Sequence, residues 1–255
     1  MMESTVGGQQ KNQFLKTRIE LHCGGQFLVF LFFDFNIERR ADMIEYTKQE
    51  AISIVTSCAT KYEAELLDKS LLFVCRNTKT NTVHCYEFFF YASNYLHFTG
   101  LDYQDKPDAT EDPSRAKRFF QKCLVHKLKL EEIEFSENGM TPFKLEILPK
   151  LMTKNLSAKI VGTYNMTKPF LRTEKLAGNV FGCVGFIQEE NTKRYVPNTV
   201  LNEDIRDITT EQLQVVAVYR KPINELQYQE NTYRAKKIDL SHFNFPTQYM
   251  YLQNL

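Results

Sequence analysis

The chain has 255 residues, 43% of them hydrophobic, which is enough to form the core of one large domain or two small ones. Its net charge of +1 excludes a protein that coats nucleic acid through overall charge, so any site for a polyanion must be a local patch. A membrane span is not expected either, because the most apolar run, residues 26–37, is too short and contains Asp34.

The N-terminal residues 1–42 differ in texture from the rest of the chain. A polar, Gly/Gln-rich stretch leads into the apolar run, which is followed by the sequence ERRADM at residues 38–43. In a bacterial or phage gene, codons for Glu-Arg-Arg can contain a ribosome-binding sequence at a suitable distance from Met43. One interpretation is therefore a non-native or weakly ordered extension upstream of a start at Met43. The other is an ordinary N-terminal strand or hairpin.

A helix and two strands are predicted next. Residues 45–69 carry apolar side chains at helical spacing, namely Ala51, Ile52, Val55, Ala59, Tyr62 and Leu66. Residues 71–76 and 82–92 are aromatic-rich strands around a turn, and the second is expected to be central because its end is apolar on both faces. The phrase NYLHFTGL then leaves this strand, and Gly100 marks a turn or a helix C-terminus.

Two more helices are predicted in the middle of the chain. Ser114 is a suitable N-cap for a helix over residues 115–129. One face of that helix is basic, with Arg115, Lys117, Arg118, Lys122, His126 and Lys129. Such a face is either ordinary solvated surface or a contact for phosphates. Thr141-Pro142 begins another helix, which Pro149 is expected to end or kink.

From Ser157 onward the residue pattern changes to one that predicts strands. The segments AKIVGTYN, NVFGCVGFIQ, RYVPNTVL and LQVVAVYRK are β-branched or aromatic, and loops separate them. Gly182 and Gly185 indicate a strongly twisted or bulged strand. The main domain is expected over residues 43–221, and residues 222–255 add one edge strand and an aromatic tail that either docks or stays loose. The fold class is therefore α+β, with N-terminal helices followed by a twisted antiparallel sheet.

The usual signatures of metal and cofactor enzymes are absent from the sequence. There is no Walker A motif, GxGxxG, HExxH, GxSxG or EF-hand loop, and the five His form no spaced pair. The six cysteines are scattered without a CxxC, which is typical of reduced, mostly buried thiols in a cytoplasmic protein. No cofactor and no metal are expected.

A set of polar residues falls instead at predicted turns and strand ends. Its members are His97, Thr99, Thr173, Lys175, Gly178, Asn179, Asn198, Thr199, Tyr219, Arg220 and Lys221. The imidazole of His97 lies between Leu96 and Phe98, and apolar neighbours favour its neutral form. This suits a general base, and it equally suits a core histidine with one satisfied hydrogen bond.

The order of these motifs resembles the phage nucleases of the barnase–EndoU–colicin–RelE-like fold, in the subfamily of polyvalent proteins and mobile elements. The matching parts are CATKYEAELL with KSLLFV, NYLHFTGL, TPFKLEILPKL, the TEKLAGN turn, CVGFI, YVPNTVLNEDI and VVAVYRK. The resemblance spans residues 43–221, and its most specific parts are the phrase ending at Gly100 and the Gly178-Asn179 turn. Phe98 departs from the family, which usually has an aliphatic residue there.

The resemblance implies metal-independent RNA cleavage by attack of the ribose 2′-OH on the adjacent phosphate. His97 would then be the acid/base residue and Lys175 the cation at the phosphate, with Thr99 and Asn179 completing the catalytic set. The expected RNA contacts are Arg115, Lys117, Arg118, Lys122, Thr173, Asn198, Thr199 and Lys221. A toxin or phage–host conflict effector in the cytoplasm of a bacterial host is implied, with an antitoxin or host protein as a further partner.

Two classes of function stay open at this point. The chain is either an endoribonuclease or a non-catalytic protein-binding module on the same fold, for example an inhibitor of a host defence factor. Each site residue also has a structural alternative, since His97, Thr99, Asn179 and Asn198 can serve as caps or turn residues and Lys175 as loop surface. Proximity of His97 and Lys175 in a cleft would favour the enzyme. The oligomeric state is not indicated.

Overall fold

The computed structural model describes residues 18–23, 26–31, 45–104, 114–166 and 171–254, the first two stretches as backbone alone. The chain divides into two units, Met1–Met43 and Ile44–Leu255. In the first unit, β1 (Arg18–Cys23) and β2 (Gln26–Leu31) pair as an antiparallel hairpin. The pairing of β1 with β2 is the arrangement that the hairpin interpretation describes. The translation start at Met43 lies outside the described residues and stays a prediction.

The second unit begins with helix α1 (Lys48–Glu65). Its start is defined by a capping box, in which the Thr47 hydroxyl accepts from the Glu50 amide at 3.2 Å and the Glu50 carboxylate accepts from the Thr47 amide at 2.8 Å. The predicted apolar face is buried, with Val55 and Tyr62 fully shielded from solvent. Local capping and helical periodicity therefore account for this element.

The elements that follow alternate between helices and strands before the chain becomes all strand. The first group comprises β3 (Lys69–Arg76), β4 (Val83–Phe89), α2 (Tyr95–Thr99), β5 (Leu101–Tyr103), α3 (Arg115–Leu124), β6 (Ile133–Phe135) and α4 (Thr141–Leu151). The second group comprises β7 (Ile160–Tyr164), β8 (Lys175–Gly178), β9 (Cys183–Gln188), β10 (Tyr195–Leu201), β11 (Thr209–Pro222) and β12 (Glu230–Arg234). The α+β prediction is confirmed.

Seven of these strands close into a barrel in the order β3-β4-β10-β9-β8-β7-β11. Closure depends on β11, which pairs with β7 through Thr209–Gln214 and with β3 through Gln214–Pro222. The neighbouring pairs are antiparallel except β4 and β10, which are parallel and share one residue pair, Phe88 with Tyr195. The antiparallel prediction holds for most of the sheet, but the closed barrel was not predicted.

The inward faces of the strands and the apolar faces of the helices form one core. The Tyr62 ring of α1 makes edge or tilted contacts with Phe90, Tyr95, Phe98 and Phe120, at centroid distances of 5.2–6.3 Å. Aromatic contacts of this kind hold α1, α2 and α3 together beyond the effect of burial alone.

The C-terminal segment docks against the outer face of the sheet. Strand β12 lies at the edge next to β11, as predicted. Beyond it, Leu240, Phe243 and Leu252 are buried in a cluster that includes Leu72 and Tyr219. The aromatic tail therefore packs against the sheet in this structure.

Several local predictions need correction. Most of the predicted turn at residues 173–179 is a strand, because Lys175–Gly178 form β8, a short strand whose pattern is too brief to be recognised. Helix α3 ends at Leu124 rather than near residue 129, since His126 has a φ of +55° that no helix accommodates. Ser114 occupies the N-cap position without a side-chain capping bond, and Pro149 lies in the last turn of α4.

The predicted irregularity lies in a different strand from the one expected. The register shift is in β10, between Pro197 and Thr199, and not in β9. Gly182 and Gly185 are instead required for close approach: a Cβ on Gly182 would overlap Ile147 of α4, and one on Gly185 would lie 2.8 Å from Thr199 Cγ2. These glycines let α4 and β10 pack directly on β9.

Replacing Gly182 with Val should destabilise the fold, because the added side chain must displace Ile147. We expect a loss of about 1–3 kcal/mol in the free energy of unfolding, measured by urea denaturation. Val180→Ala is a matched control, since Val180 lies on the same turn and is 43% exposed. Equal stability of Gly182→Val and wild type would show that the close contact is not required.

A protein of residues 43–255 should be as soluble and as thermally stable as the full chain. The reason is that the chain divides at Met43 and that α1 is capped locally by Thr47 and Glu50. Differential scanning fluorimetry of both proteins tests this. A large drop in melting temperature on truncation would show that residues 1–42 belong to the core.

Candidate functional site

His97 is the outward-facing residue of helix α2. The other residues of this five-residue helix, Tyr95, Leu96, Phe98 and Thr99, are buried, whereas the His97 side chain is exposed. Gly100 ends the helix with a φ of +68°, a conformation that favours glycine. The apolar neighbours in the sequence therefore anchor the helix and leave the imidazole at the surface.

Lys144 of α4 is the cation next to His97. Its Nζ donates a hydrogen bond to the His97 carbonyl oxygen at 2.8 Å. Desolvation lowers the pKa of the Lys144 amine from 10.5 to about 8. Desolvation, and then the positive charge of Lys144, lower the pKa of His97 below 6.5. At neutral pH the pair thus consists of a neutral imidazole and an ammonium group that is ready to lose its proton.

Thr99 shapes the turn that presents His97. Its hydroxyl donates to the Leu96 carbonyl at 2.9 Å and accepts from the Leu101 amide at 3.1 Å, and the residue is fully buried. The hydroxyl therefore does not reach solvent, which corrects its predicted place among groups that meet the substrate. The next residue is Gly100, whose carbonyl accepts a hydrogen bond from the Thr141 hydroxyl at the start of α4.

Lys175 lies in different surroundings from His97. Its Nζ donates to the Thr163 hydroxyl at 2.7 Å and lies 5.3 Å from the centroid of the Tyr86 ring. The Thr163 hydroxyl in turn donates to the Glu211 carboxylate at 2.7 Å. Within the described residues, no hydrogen bond or ion pair joins Lys175 to His97. The shared phosphate contact predicted for His97 and Lys175 stays a prediction, and the sequence offered no local signal for Lys144, which is 47 positions from His97.

The other predicted site residues fall into separate places. The side chain of Asn179 stabilises the turn that begins at this residue. Its Nδ2 donates to the Ser157 carbonyl at 2.9 Å, and its Oδ1 accepts from the Phe181 backbone amide at 2.7 Å. Thr173, Asn198 and Thr199 do converge, at the irregularity in β10. The Thr173 hydroxyl donates to Asn198 Oδ1 at 3.2 Å. Thr173 and Thr199 are buried, so Asn198 is the more accessible member of this group.

The basic face of α3 is only partly available at the surface. Arg115 and Lys117 are exposed, and Arg118 is half-buried. Lys122 makes an ion pair with Glu132 at 2.6 Å and lies 5.5 Å from the centroid of Tyr103. Lys122 therefore also holds α3 to its neighbours, while the phosphate-binding role of this face stays a prediction.

A groove of about 490 Å³ opens beside the single pair that joins β4 and β10. We call it the seam groove. It contains Lys221, one of the predicted RNA contacts. Its lining residues are Cys85, Tyr86, Glu87, Phe89, Thr192, Lys193, Arg194, Tyr195, Lys221, Ile223, Asn224, Glu225, Leu226 and Tyr249.

Burial disfavours the reactive thiolate form of the cysteines with described side chains. Cys58, Cys75, Cys123 and Cys183 are buried and Cys85 is half-buried, and burial raises the pKa of Cys58 to about 11 and those of Cys85 and Cys123 to about 12. Among the residues with described side chains, no group of three or more His, Cys, Asp or Glu could hold a metal ion. No described helix is long and apolar enough to cross a bilayer.

Comparison with known proteins agrees with the resemblance. Residues 54–237 match the model of the family described as phage-Barnase-EndoU-ColicinE5/D-RelE like nuclease4. Neither the comparison with curated proteins nor that with solved structures gave a match. The matched segment includes α2, α4 and the barrel strands, and it covers more than half of the chain. The protein therefore belongs to the phage-Barnase-EndoU-ColicinE5/D-RelE like nuclease4 family.

Proposed function

We propose that the protein is an endoribonuclease that cleaves RNA without a metal ion, with His97 and Lys144 at its catalytic centre. The observation that carries this proposal is the exposed imidazole of His97, neutral at pH 7, beside an ammonium group whose pKa is about 8. A neutral imidazole that can accept a proton and an ammonium group that can donate one are what acid–base catalysis requires. Membership in a nuclease family supplies the class of substrate.

In the proposed reaction, His97 takes the proton of a ribose 2′-OH. The 2′-oxygen then forms a bond to the adjacent phosphorus while the bond from phosphorus to the 5′-oxygen breaks. Lys144 gives a proton to the leaving 5′-oxygen, and its charge stabilises the phosphoryl oxygens as negative charge develops. The products are a 2′,3′-cyclic phosphate and a 5′-hydroxyl.

The position of Lys144 supports this assignment. One of its three N–H groups is held by the His97 carbonyl at 2.8 Å, which fixes the amine relative to helix α2. Partial burial keeps its pKa near 8, so the group is mostly charged at pH 7 but gives up its proton easily. Lys175 is less suitable, because its Nζ already donates to the Thr163 hydroxyl.

The biological role proposed here is that of a toxin or phage–host conflict effector that acts on RNA in the bacterial cytoplasm. An antitoxin would inhibit this activity, or a host protein would be its partner. The non-catalytic binding module remains the outcome to expect if purified protein never cleaves RNA.

His97→Gln should lower the cleavage rate by about 10²–10⁴-fold, because glutamine keeps the size and some hydrogen bonding of histidine but does not transfer protons at neutral pH. The assay follows total RNA or a labelled oligonucleotide on a gel and identifies the ends produced. EDTA should leave the wild-type rate unchanged. RNA affinity and melting temperature should also stay close to wild type.

Three lysine variants serve as comparisons. Lys144→Met should lower the rate strongly, Lys175→Met by a smaller factor, and Lys150→Met not at all, since Lys150 is exposed on the same helix as Lys144. A larger effect of Lys175→Met than of Lys144→Met would return the cation role to Lys175. Normal cleavage by His97→Gln would remove His97 from the mechanism.

The pH dependence of the rate should be bell-shaped. The rate rises as His97 loses its proton, with a midpoint below 6.5, and falls as Lys144 loses its proton, with a midpoint of about 8. Lys144→Arg keeps a positive charge far above pH 8 and should remove the alkaline fall, even where its overall rate is lower. An unchanged alkaline limb in Lys144→Arg would show that another group titrates there.

A further inference from the structure

The seam groove exists because β4 and β10 are parallel neighbours with one shared residue pair, Phe88 with Tyr195. On one side of that pair the two strands are not joined by further ladder bonds. The groove is lined there by β4, by the end of the β9–β10 hairpin, by the loop after β11 and by Tyr249 from the C-terminal segment. A volume of about 490 Å³ is in the range of sites that hold one nucleotide-sized ligand.

Two cations in this groove are oriented without carboxylate partners among the described residues. The Arg194 guanidinium stacks on Phe89 at 4.7 Å and donates to the Tyr91 hydroxyl at 3.1 Å. Lys221 Nζ lies 4.8 Å from the Tyr228 centroid and donates to the Glu225 carbonyl at 2.7 Å. Their charges are therefore positioned but not neutralised by an ion pair, which is the arrangement that suits a phosphate.

Arg220, which precedes Lys221 in β11, is instead paired with carboxylates. Its guanidinium makes ion pairs with Glu65 and Glu230, both at 2.6 Å, and its side chain is 14% exposed. An arginine bound on both sides in this way holds α1 and β12 to β11. Arg194 and Lys221 have no such structural pairing, so their placement in a groove calls for an external anion.

The groove also contains a fixed acceptor, the Glu87 carboxylate. Its aromatic lining residues are packed into the fold, since Phe89 and Tyr249 are buried and Tyr86 and Tyr195 pack against the core. Glu87 accepts a hydrogen bond from the Tyr228 hydroxyl at 2.8 Å, and Ser70 lies 2.6 Å from the same hydroxyl. Burial, followed by the charge of Glu87, raises the pKa of Tyr228, so this hydroxyl remains a donor.

The charged and hydrogen-bonding groups of the groove match those of a nucleotide. Cations at Arg194 and Lys221 match a phosphate, and the Glu87 carboxylate can accept hydrogen bonds from the amino edge of a base. We propose that the seam groove binds single-stranded RNA, with a phosphate at Arg194 and Lys221 and the amino edge of the adjoining base at Glu87. This inference rests on the proposed function, since it names where the same RNA is held outside the catalytic centre.

The experiment measures binding separately from cleavage. The probe is a fluorescein-labelled 2′-O-methyl RNA oligonucleotide, which cannot be cleaved by 2′-OH attack, and fluorescence anisotropy with the full chain gives its affinity at several salt concentrations. The double variant Arg194→Gln/Lys221→Gln should bind about tenfold or more weakly, and the slope of log affinity against log salt should fall by about 1.

The matched control is Lys150→Gln/Lys236→Gln, which removes the same charge from exposed positions outside the groove lining. It should bind nearly as well as wild type, and thermal denaturation should show both double variants folded. Glu87→Gln should reduce the preference for cytidine or adenosine oligomers over uridine oligomers, because the amino groups lose a charged acceptor.

The outcomes separate this inference from the proposed function. Equal weakening by the groove and control variants, or wild-type affinity in the groove variant, overturns the inference even if His97-dependent cleavage is observed. Groove-dependent binding in a protein that never cleaves RNA supports the inference and rejects the nuclease proposal. Absence of any RNA binding by the folded wild type overturns the inference and favours a protein ligand for the groove.

Discussion

Strand β11 hydrogen-bonds to β7 along Thr209–Gln214 and to β3 along Gln214–Pro222, and this double pairing closes the sheet. Because β11 pairs with the strands at both ends of the sheet, the barrel has no unpaired edge at that position. Strand β12 then pairs with β11 along Ala217–Arg220. Elsewhere in the barrel, β4 and β10 meet in parallel with one residue pair, and the polar seam groove lies beside that pair.

One hydrogen bond joins two helices and holds the lysine that is proposed to act in catalysis. Partial burial of Lys144 destabilises its charged form, and donation to the His97 carbonyl offsets part of that cost. The same bond ties α4 to the end of α2, where Gly100 and Thr99 form the turn. An exposed imidazole is thus presented by a helix whose remaining residues are held in the core.

Ion pairing distinguishes cations that hold the fold together from those proposed to meet a ligand. Arg220 and Lys122 are paired with carboxylates and connect neighbouring elements. Arg194 and Lys221 are oriented by aromatic rings, a hydroxyl and a carbonyl, which position a positive charge without neutralising it. With a net charge of +1 for the whole chain, such local arrangement is the means by which this protein can attract an anion.

The sequence by itself determined the α+β class, helix α1, strands β3 and β4 and the turn after His97, because capping residues, periodicity and a glycine act over a few neighbouring positions. It also indicated a neutral imidazole. The pKa of His97 is lowered by desolvation and by the charge of Lys144, while Leu96 and Phe98 are buried in the core. Only the tertiary structure decided that Lys144 lies beside His97, that Lys175–Gly178 form a strand, and that β11 closes a barrel. These features depend on contacts between residues far apart in the chain, which no local pattern encodes.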